Sequence, residues 1–157
     1  MTARFVGISL ATTLLACATA MPMQAKADDA RFDSPIVGSA IGTTIAGVGS
    51  GGAPWVVRSG RARLESDGAL EIEVRGLLLA TNGTTGGIPQ VVASVVCGDI
   101  VQATTDPVTF PPSGSFEIRD MVTLPQPACQ GAVVLIRIVS PVNTPPTRFI
   151  ASTGVLD

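Results

Sequence analysis

Histidine and tyrosine are absent from this 157-residue chain, and lysine occurs once, at Lys26. Histidine is the commonest general base and the commonest transition-metal ligand. Its absence excludes Ser-His-Asp and Cys-His catalysis and every zinc site that uses histidine. Lys26 lies in an N-terminal segment that export would remove, and without it Schiff-base and Ser-Lys chemistry are excluded too. Carboxylates are the catalytic candidates that remain.

Positive charge and aromatic side chains are also scarce. After loss of residues 1–27, eight arginines and twelve acidic residues remain, for a net charge of −4. Aromatic residues make up 4% of the chain, with one tryptophan, Trp55. A nucleic-acid-binding protein would gather positive charge on one face with aromatic rings between. We therefore expect no nucleic-acid partner.

The N-terminus has the pattern of a bacterial export signal. Arg4 supplies the positive start, residues 6–15 form a short apolar run, and Ala25-Lys26-Ala27 is a small-x-small cleavage site. The apolar run is too short to span a bilayer, which takes about 20 residues. Residues 1–27 are thus predicted to be a signal peptide, and the mature chain to be secreted or periplasmic.

Two other ways of processing this signal compete with the first. Leu14-Leu15-Ala16-Cys17 resembles a lipobox, so that residues 1–16 would be a lipoprotein signal and an acylated Cys17 would anchor the domain to a membrane. In that case the protein is a lipoprotein that faces outside the cytoplasm. Cleavage after Ala20 would shorten the signal, but it places Pro22 close to the scissile bond, which is a poor fit.

Once Cys17 is removed or acylated, Cys97 and Cys129 remain as a pair. In an oxidising compartment two such cysteines most often form one disulfide. The bond would close a loop of about 30 residues and stabilise the fold by roughly 3 to 4 kcal/mol. A reactive thiol is disfavoured, because no basic residue adjoins either sulfur in the sequence.

The mature chain, at about 130 residues, is long enough for one compact domain. We expect residues 28–37 to be a flexible N-terminal segment and residues 38–157 to form a single antiparallel β-sandwich, immunoglobulin-like or of related topology. Short apolar segments bounded by turn residues predict eight strands. They are residues 40–46, 55–65, 69–79, 91–97, 100–105, 115–124, 132–139 and 148–152.

One hairpin can be predicted at the level of single residues. Ser66-Asp67-Gly68 suits a three-residue loop that ends with Gly68 in the left-handed region. This loop sets Leu64 opposite Leu70 and Ala62 opposite Ile72 on an apolar face. On the other face it sets Arg63 opposite Glu71 and Arg61 opposite Glu73, as pairs of opposite charge.

Two charged residues interrupt otherwise apolar strand patterns. Asp120 breaks the apolar side of residues 115–124 and indicates a bulge or a sheet edge. Arg137 interrupts the nearly continuous apolar run 132–139, which is typical of a strand covered on both sides. We expect Arg137 to lie at a sheet edge or to be paired.

A stretch without charge, residues 34–57, is long enough to suggest a membrane span. It contains six glycines and several Ser and Thr residues, which give it little apolar surface and poor helix propensity. We expect no transmembrane helix in the mature chain.

Candidate site residues each have an ordinary structural interpretation. Glu71 and Glu73, two apart on one strand face, have the separation a glycosidase pair needs, but both have arginine partners in the predicted hairpin. The acids Asp99, Asp106 and Asp120 could contribute to a calcium site, yet the first two suit turns. Trp55 could stack on a sugar, but core packing is favoured. We therefore assign no catalytic, cofactor or metal residue.

Several segments together resemble a group of small exported bacterial β-sandwich proteins that have no assigned activity. They are residues 45–48, Gly51-Gly52-Ala53-Pro54-Trp55, Asp67-Gly68 with residues 74–77, Val95-Val96-Cys97, residues 124–129 and residues 149–154. The resemblance covers most of the mature chain and implies a fold, not an activity.

The function expected from all of this is an exported, non-catalytic binding or structural module of the bacterial envelope or extracellular space. Its loops, at residues 81–87, 106–114 and 141–146, would contact an unidentified protein or glycan. One alternative is a carboxylate-dependent hydrolase of extracellular glycan, and another is a lipid-anchored lipoprotein of the same fold.

Overall fold

The computed structural model describes residues 30–124, 131–139 and 146–154, with side chains from residue 32 onward. This part of the chain contains strands and no helix. The strands are β1 (Ala30–Gly38), β2 (Thr44–Ile45), β3 (Val48–Gly49), β4 (Trp55–Val56), β5 (Ser59–Glu65), β6 (Ala69–Arg75), β7 (Leu78–Leu79), β8 (Gln90–Cys97), β9 (Ile100–Thr104), β10 (Val108–Thr109), β11 (Phe116–Met121), β12 (Val133–Val139) and β13 (Phe149–Thr153). The all-β prediction is therefore confirmed.

Nine of these strands form one antiparallel sheet, in the order β10-β8-β12-β13-β1-β5-β6-β11, with β9 also paired to β8. Strand β1 connects the two halves of the sheet, because it changes neighbours along its length. Its first half pairs with β5 as far as Pro35, and its second half pairs with β13 from Ile36 onward. Proline has no N–H to donate to a neighbouring strand. A paired strand therefore tolerates proline at the position where its neighbour changes.

The sheet curls until its two ends approach each other. Phe110, just after β10, packs edge-on against Phe116 of β11, with ring centroids 5.6 Å apart. The backbone N–H of Asp106 donates to the Asp120 carboxylate at 3.2 Å. Asp120 therefore lies on an edge strand, as one of the two sequence interpretations expected, and β11 pairs with β6 without a bulge.

One hydrophobic core lies inside the curl and draws residues from both halves of the sheet. Ala62, Leu64, Ile72 and Val74 come from β5 and β6, and Val95, Val134, Ile136 and Ile150 from β8, β12 and β13. Trp55 is 6% exposed in this core, with its ring centroid 6.3 Å from that of Phe110. Core packing of Trp55 is thus confirmed.

A second, smaller cluster lies on the outer side of β12. Val96, Leu135 and Phe149 pack there beneath Val48 of the β2–β3 hairpin. Strand β12 is central in the sheet, between β8 and β13, and is covered on both sides by the two clusters, as its apolar sequence indicated.

The β5–β6 hairpin has the predicted register. Leu64 lies opposite Leu70, Ala62 opposite Ile72, Arg63 opposite Glu71 and Arg61 opposite Glu73. Gly68 has a φ of 96°, and its N–H donates to the Glu65 carbonyl at 3.1 Å.

The flexible segment predicted for residues 28–37 is wrong from residue 30 onward, because Ala30–Gly38 is a central strand. Ser34 and Ile36 are buried while Asp33, Pro35 and Val37 are exposed, which is the two-residue period of a sheet. The domain therefore begins before Gly38. One face of this strand presents Asp33, Pro35 and Val37 to solvent, so its sequence lacks the apolar run expected of a central strand.

Other predicted strands are shorter or divided. Of residues 40–46, Thr44–Ile45 alone is strand, and it pairs with Val48–Gly49. Ala46 and Gly47 have φ of 49° and 73°, as a two-residue hairpin turn with two left-handed residues requires. The predicted segments 55–65 and 69–79 each divide into a two-residue strand and a seven-residue strand.

Some sequence predictions fall outside the described residues. The signal segment 1–27, the lipobox cysteine Cys17 and the disulfide partner Cys129 are among them. No helix in the described part of the chain is long and apolar enough to cross a membrane.

Candidate binding face

Four adjacent strands, β1, β5, β6 and β11, present a continuous set of charged side chains on the outer side of the sheet. Because successive side chains of a strand point to opposite faces, the residues between these charged ones enter the core. We call this surface the charged face. It consists of Asp33, Arg61, Arg63, Glu65, Glu71, Glu73, Arg75, Glu117 and Arg119.

The charged face is ordered in rows across the strands. In one row the backbone register aligns Asp33 with Arg63, Arg63 with Glu71, and Glu71 with Arg119. Charge therefore alternates in sign from β1 to β11. The next row aligns Pro35, Arg61, Glu73 and Glu117.

Ion pairs on this face differ from those that the hairpin alone predicted. Arg61 pairs through two nitrogens with Asp33 of β1 rather than with Glu73. Glu73 pairs with Arg75 at 2.6 Å, and Arg75 also reaches Glu117 at 3.4 Å.

Glu71 pairs with Arg119 of β11 at 2.9 Å. Strands β1 and β11 flank the hairpin, and their side chains compete for its charges. Exposed pairs of this kind each contribute about 0 to 1 kcal/mol, so the choice of partner is easily changed.

The electrostatics of the face favour the charged forms. The hydrogen bonds from Arg61 lower the pKa of Asp33 below its usual value, against a smaller opposing effect of burial. The same contact raises the pKa of Arg61, and hydrogen bonding to Glu73 raises the pKa of Arg75.

Two adjoining depressions lie on the charged face. One, of about 320 Å³, is lined by side chains that include Asp33, Arg61, Glu73 and Glu117. The other, of about 540 Å³, shares Arg63, Glu71 and Arg119 with the first. It extends to Met121, which is 64% exposed. Of the predicted binding loops, residues 81–87 and 106–114 line neither depression, so the expectation of a loop-lined surface is not met there for these two. Residues 141–145 of the third loop lie outside the described ranges.

Glu71 and Glu73 do share a cavity, as a hydrolase would require. Each has an arginine within ion-pair distance, however. A carboxylate that is bound to an arginine of the same face is not free to contact the leaving-group oxygen of a substrate, as a general acid must. The arrangement therefore suits recognition better than proton transfer.

The three aspartates considered for calcium do not come together as a site. Asp99 lies in the two-residue β8–β9 turn after Gly98, whose φ is 59°. The carboxylate of Asp120 accepts from the backbone N–H groups of Met121 and Asp106. Across the described ranges, no group of three potential metal ligands occurs.

Arg137 is paired, but not in a way that the sequence indicated. It lies in a central strand, is partly buried, and donates to the carbonyls of Pro146 and Thr147. Its guanidinium also lies 3.4 Å from the Ser94 hydroxyl. Burial lowers the pKa of Arg137.

Cys97 lies partly buried at the end of β8, and it is not a free thiol. Cys129 is outside the described ranges, so the Cys97–Cys129 disulfide stays a prediction.

Sequence reasoning did not identify the charged face as one surface, although part of its signal was readable. Charged residues recur two apart at Arg61 and Arg63, at Glu71 and Glu73, and at Glu117 and Arg119. Each pattern alone is typical of a solvated strand face. The order of the four strands is what joins them.

No protein-family model, curated protein or solved structure matches this chain. The geometry and electrostatics of the charged face are therefore the features of this chain that bear on its function.

Proposed function

We propose that this chain is an exported, non-catalytic binding module of the bacterial envelope or extracellular space, and that the charged face is its contact surface. The observation that carries this proposal is the row of alternating charges Asp33, Arg63, Glu71 and Arg119 across four strands, beside two depressions.

The composition of the face favours a protein partner. Its four arginines are matched by five carboxylates, so it has no net positive charge to attract a polyanion or an acidic lipid surface. A protein surface can present charges of both signs at matching positions. Arginine is also enriched at protein interfaces. Sugar recognition commonly uses an exposed aromatic ring, whereas Trp55 is buried.

The finer description of the fold belongs to the same proposal. The two halves of the curled sheet correspond to the two sheets of a β-sandwich of immunoglobulin-like or related topology, linked by a Cys97–Cys129 disulfide. The resemblance to small exported bacterial proteins is consistent with this description. The disulfide is tested by the intact mass of the chain after alkylation, with and without prior reduction. If the disulfide is present, both cysteines are alkylated after reduction and neither is alkylated without it.

Site-specific photo-crosslinking in the producing cell tests the contact surface. A photo-reactive residue replaces Arg119, whose side chain is 73% exposed on the charged face, or Ile100, which is 63% exposed at the β8–β9 turn. We expect a discrete crosslinked product from position 119 and none from position 100. Equal products from both positions, or none from position 119, would contradict the proposal.

A second candidate function, hydrolysis of extracellular glycan, is favoured by one observation. Asp33, Glu71, Glu73 and Glu117 line the same 320 Å³ depression. Release of reducing sugars from cell-wall glycan by the purified chain, abolished in Glu71→Gln or Glu73→Gln, would replace the binding proposal by this one. We expect no such release.

Processing of the N-terminus decides between a released protein and a lipoprotein. Mass spectrometry of the mature chain should find Asp28 as its first residue. A diacylated Cys17 would instead make the binding module a membrane-anchored lipoprotein.

A further inference from the structure

The two central strands of the charged face carry opposite charges. Strand β5 presents Arg61 and Arg63, and β6 presents Glu73 and Glu71 directly opposite them. The flanking strands continue the pattern, with Asp33 of β1 beside Arg63 and Arg119 of β11 beside Glu71. Within these two rows the face is thus positive on the β5 side of its midline and negative on the β6 side. Outside the two rows β5 also presents Glu65, and β6 presents Arg75, which lies opposite the uncharged Ser59.

Such a surface is complementary to itself under one particular rotation. A two-fold axis that lies in the plane of the face and runs parallel to the strands, between β5 and β6, places β5 of one copy against β6 of the other. Arg63 then meets Glu71 of the second copy, and Arg61 meets Glu73 of the second copy.

The charges of the flanking strands β1 and β11 are also complementary about this axis. Asp33 of β1 meets Arg119 of the second copy's β11, and Glu117 meets the uncharged Pro35. No like charges oppose each other in either row. A two-fold axis in the plane of the face but perpendicular to the strands would instead set each strand against the same strand of the second copy, and Arg63 would meet Arg63 of the second copy.

From this self-complementarity we propose that the partner bound by the charged face is a second copy of this chain, in a two-fold dimer with β5 against β6. This inference rests on the proposed function, because it names the partner of the same face. A dimer with this symmetry uses one patch twice, as isologous interfaces do.

The ion pairs inside one copy do not oppose this dimer strongly. Arg61 and Arg119 have side chains 72% and 73% exposed, while Asp33 and Glu71 are 29% and 56% exposed, so both contacts are open to water on the arginine side and are weak. Arg63 lies 3.5 Å from Glu65 of its own strand, with side chains 35% and 41% exposed, and this pair is also reached by water. Each arginine therefore exchanges its partner readily, or bridges one carboxylate from each copy. Contact with a second copy also removes water from the pairs, which strengthens them.

The size of the face predicts a reversible dimer. Four strands about 4.8 Å apart and about six residues long span roughly 20 by 20 Å. That is about 400 Å², half of what each partner contributes to a standard interface. We therefore expect the monomer and dimer to exchange within the micromolar to millimolar range, and the dimer to weaken as salt is raised.

Charge reversal of one central strand at a time provides the test. In Arg61→Glu/Arg63→Glu both central strands are acidic, and in Glu71→Arg/Glu73→Arg both are basic. Each variant alone should self-associate at least about tenfold more weakly than the unaltered chain, because like charges now face each other. An equimolar mixture of the two should form a heterodimer, because β5 of each then meets an oppositely charged β6.

Sedimentation equilibrium of the mature chain over a hundredfold range of concentration measures these associations. The matched control for Arg61→Glu/Arg63→Glu is Arg58→Glu/Arg148→Glu, which makes the same change in net charge at exposed positions outside the rows and should dimerise normally. Circular dichroism establishes that each variant is folded. If a reversed variant does not fold, Arg61→Gln/Arg63→Gln takes its place and should weaken self-association without added repulsion.

Failure of this inference is distinct from failure of the proposed function. A chain that remains monomeric throughout the range, or a mixture of reversed variants that does not associate, overturns the second copy as partner. A crosslink from position 119 to a different protein would then leave the binding function standing. A crosslinked product of twice the chain mass, lost in either reversed variant alone, supports the dimer.

Discussion

The carboxylate of Asp120 accepts a hydrogen bond from the backbone N–H of Asp106 at 3.2 Å and another from the N–H of Met121 at 2.8 Å. Asp106 lies between β9 and β10, at one end of the curled sheet, and Asp120 lies in β11 at the other. A single side chain thus connects two edges that are 14 residues apart in sequence. It also occupies an edge N–H that another strand could otherwise bind.

Replacement of Asp120 should loosen this connection. In Asp120→Asn an NH2 group replaces one carboxylate oxygen. This group cannot accept a hydrogen bond, so one of the two N–H groups loses its acceptor, and we expect a loss of about 1 kcal/mol in the free energy of unfolding. Urea denaturation measures it. Asp99→Asn, in the exposed β8–β9 turn, should change stability by less than about 0.5 kcal/mol. Equal effects of the two substitutions would show that the Asp106 contact is unimportant.

The pair of Asp33 and Arg61 predicts a dependence of stability on pH. The folded-state pKa of Asp33 is lowered, so its contribution is complete above the unfolded value near 3.8 and is lost as pH falls through the folded value. Asp33→Asn should therefore be less stable than the unaltered chain at pH 5 to 7, and the difference should shrink as the pH falls below 3.8. Urea unfolding across this range measures both chains. A difference that stays constant down to pH 2 would contradict the assignment.

Gly68 and Gly47 offer a matched pair of left-handed glycines. Gly68 has a φ of 96°, and an added Cβ would meet the Val122 carbonyl oxygen at 2.2 Å. Gly47 has a φ of 73° and open space around the same position. Gly47→Ala should cost about 1 kcal/mol for conformation alone, and Gly68→Ala clearly more, because a steric clash is added. Thermal unfolding of the two variants measures the difference, and equal costs would argue against the close approach of Val122 to the loop.

Phe110 joins Trp55 to Phe116 inside the core, where it is 3% exposed. Phe110→Ala should destabilise the fold by about 3 to 5 kcal/mol, because it leaves a cavity between the two ends of the sheet. Ile100→Ala, at a residue 63% exposed, should cost less than about 0.5 kcal/mol. Guanidinium unfolding monitored by Trp55 fluorescence reports both. A small effect at Phe110 would mean that the sheet does not close around this ring.

Much of the local structure follows from local pattern. The turn residues Ser66, Asp67 and Gly68 and the alternation on either side of them are enough to predict the β5–β6 register. Strand β12 follows from its nearly continuous apolar run, interrupted by Arg137 alone, and burial of Trp55 follows from the scarcity of other aromatic side chains. Each of these inferences depends on residues close together in the sequence.

The first strand and the partners of the charged residues could not be predicted in the same way. Residues 30–38 contain a proline and two charged residues, so they have little of the apolar character expected of a central strand. Arg61 pairs with Asp33, which is 28 residues away, although the hairpin alone suggested Glu73. Arg137 donates to carbonyls of the segment before β13, which no local pattern indicates.

By itself the sequence determined the absence of histidine chemistry, the all-β class, the β5–β6 hairpin and the faces of its strands, because these depend on composition and on a two-residue period. The tertiary structure decided that β1 lies between β13 and β5, that the sheet curls, and that four strands carry one charged face. The physical reason is that strand order and the pairing of distant charges depend on which strands become neighbours, and many distant residues together determine that.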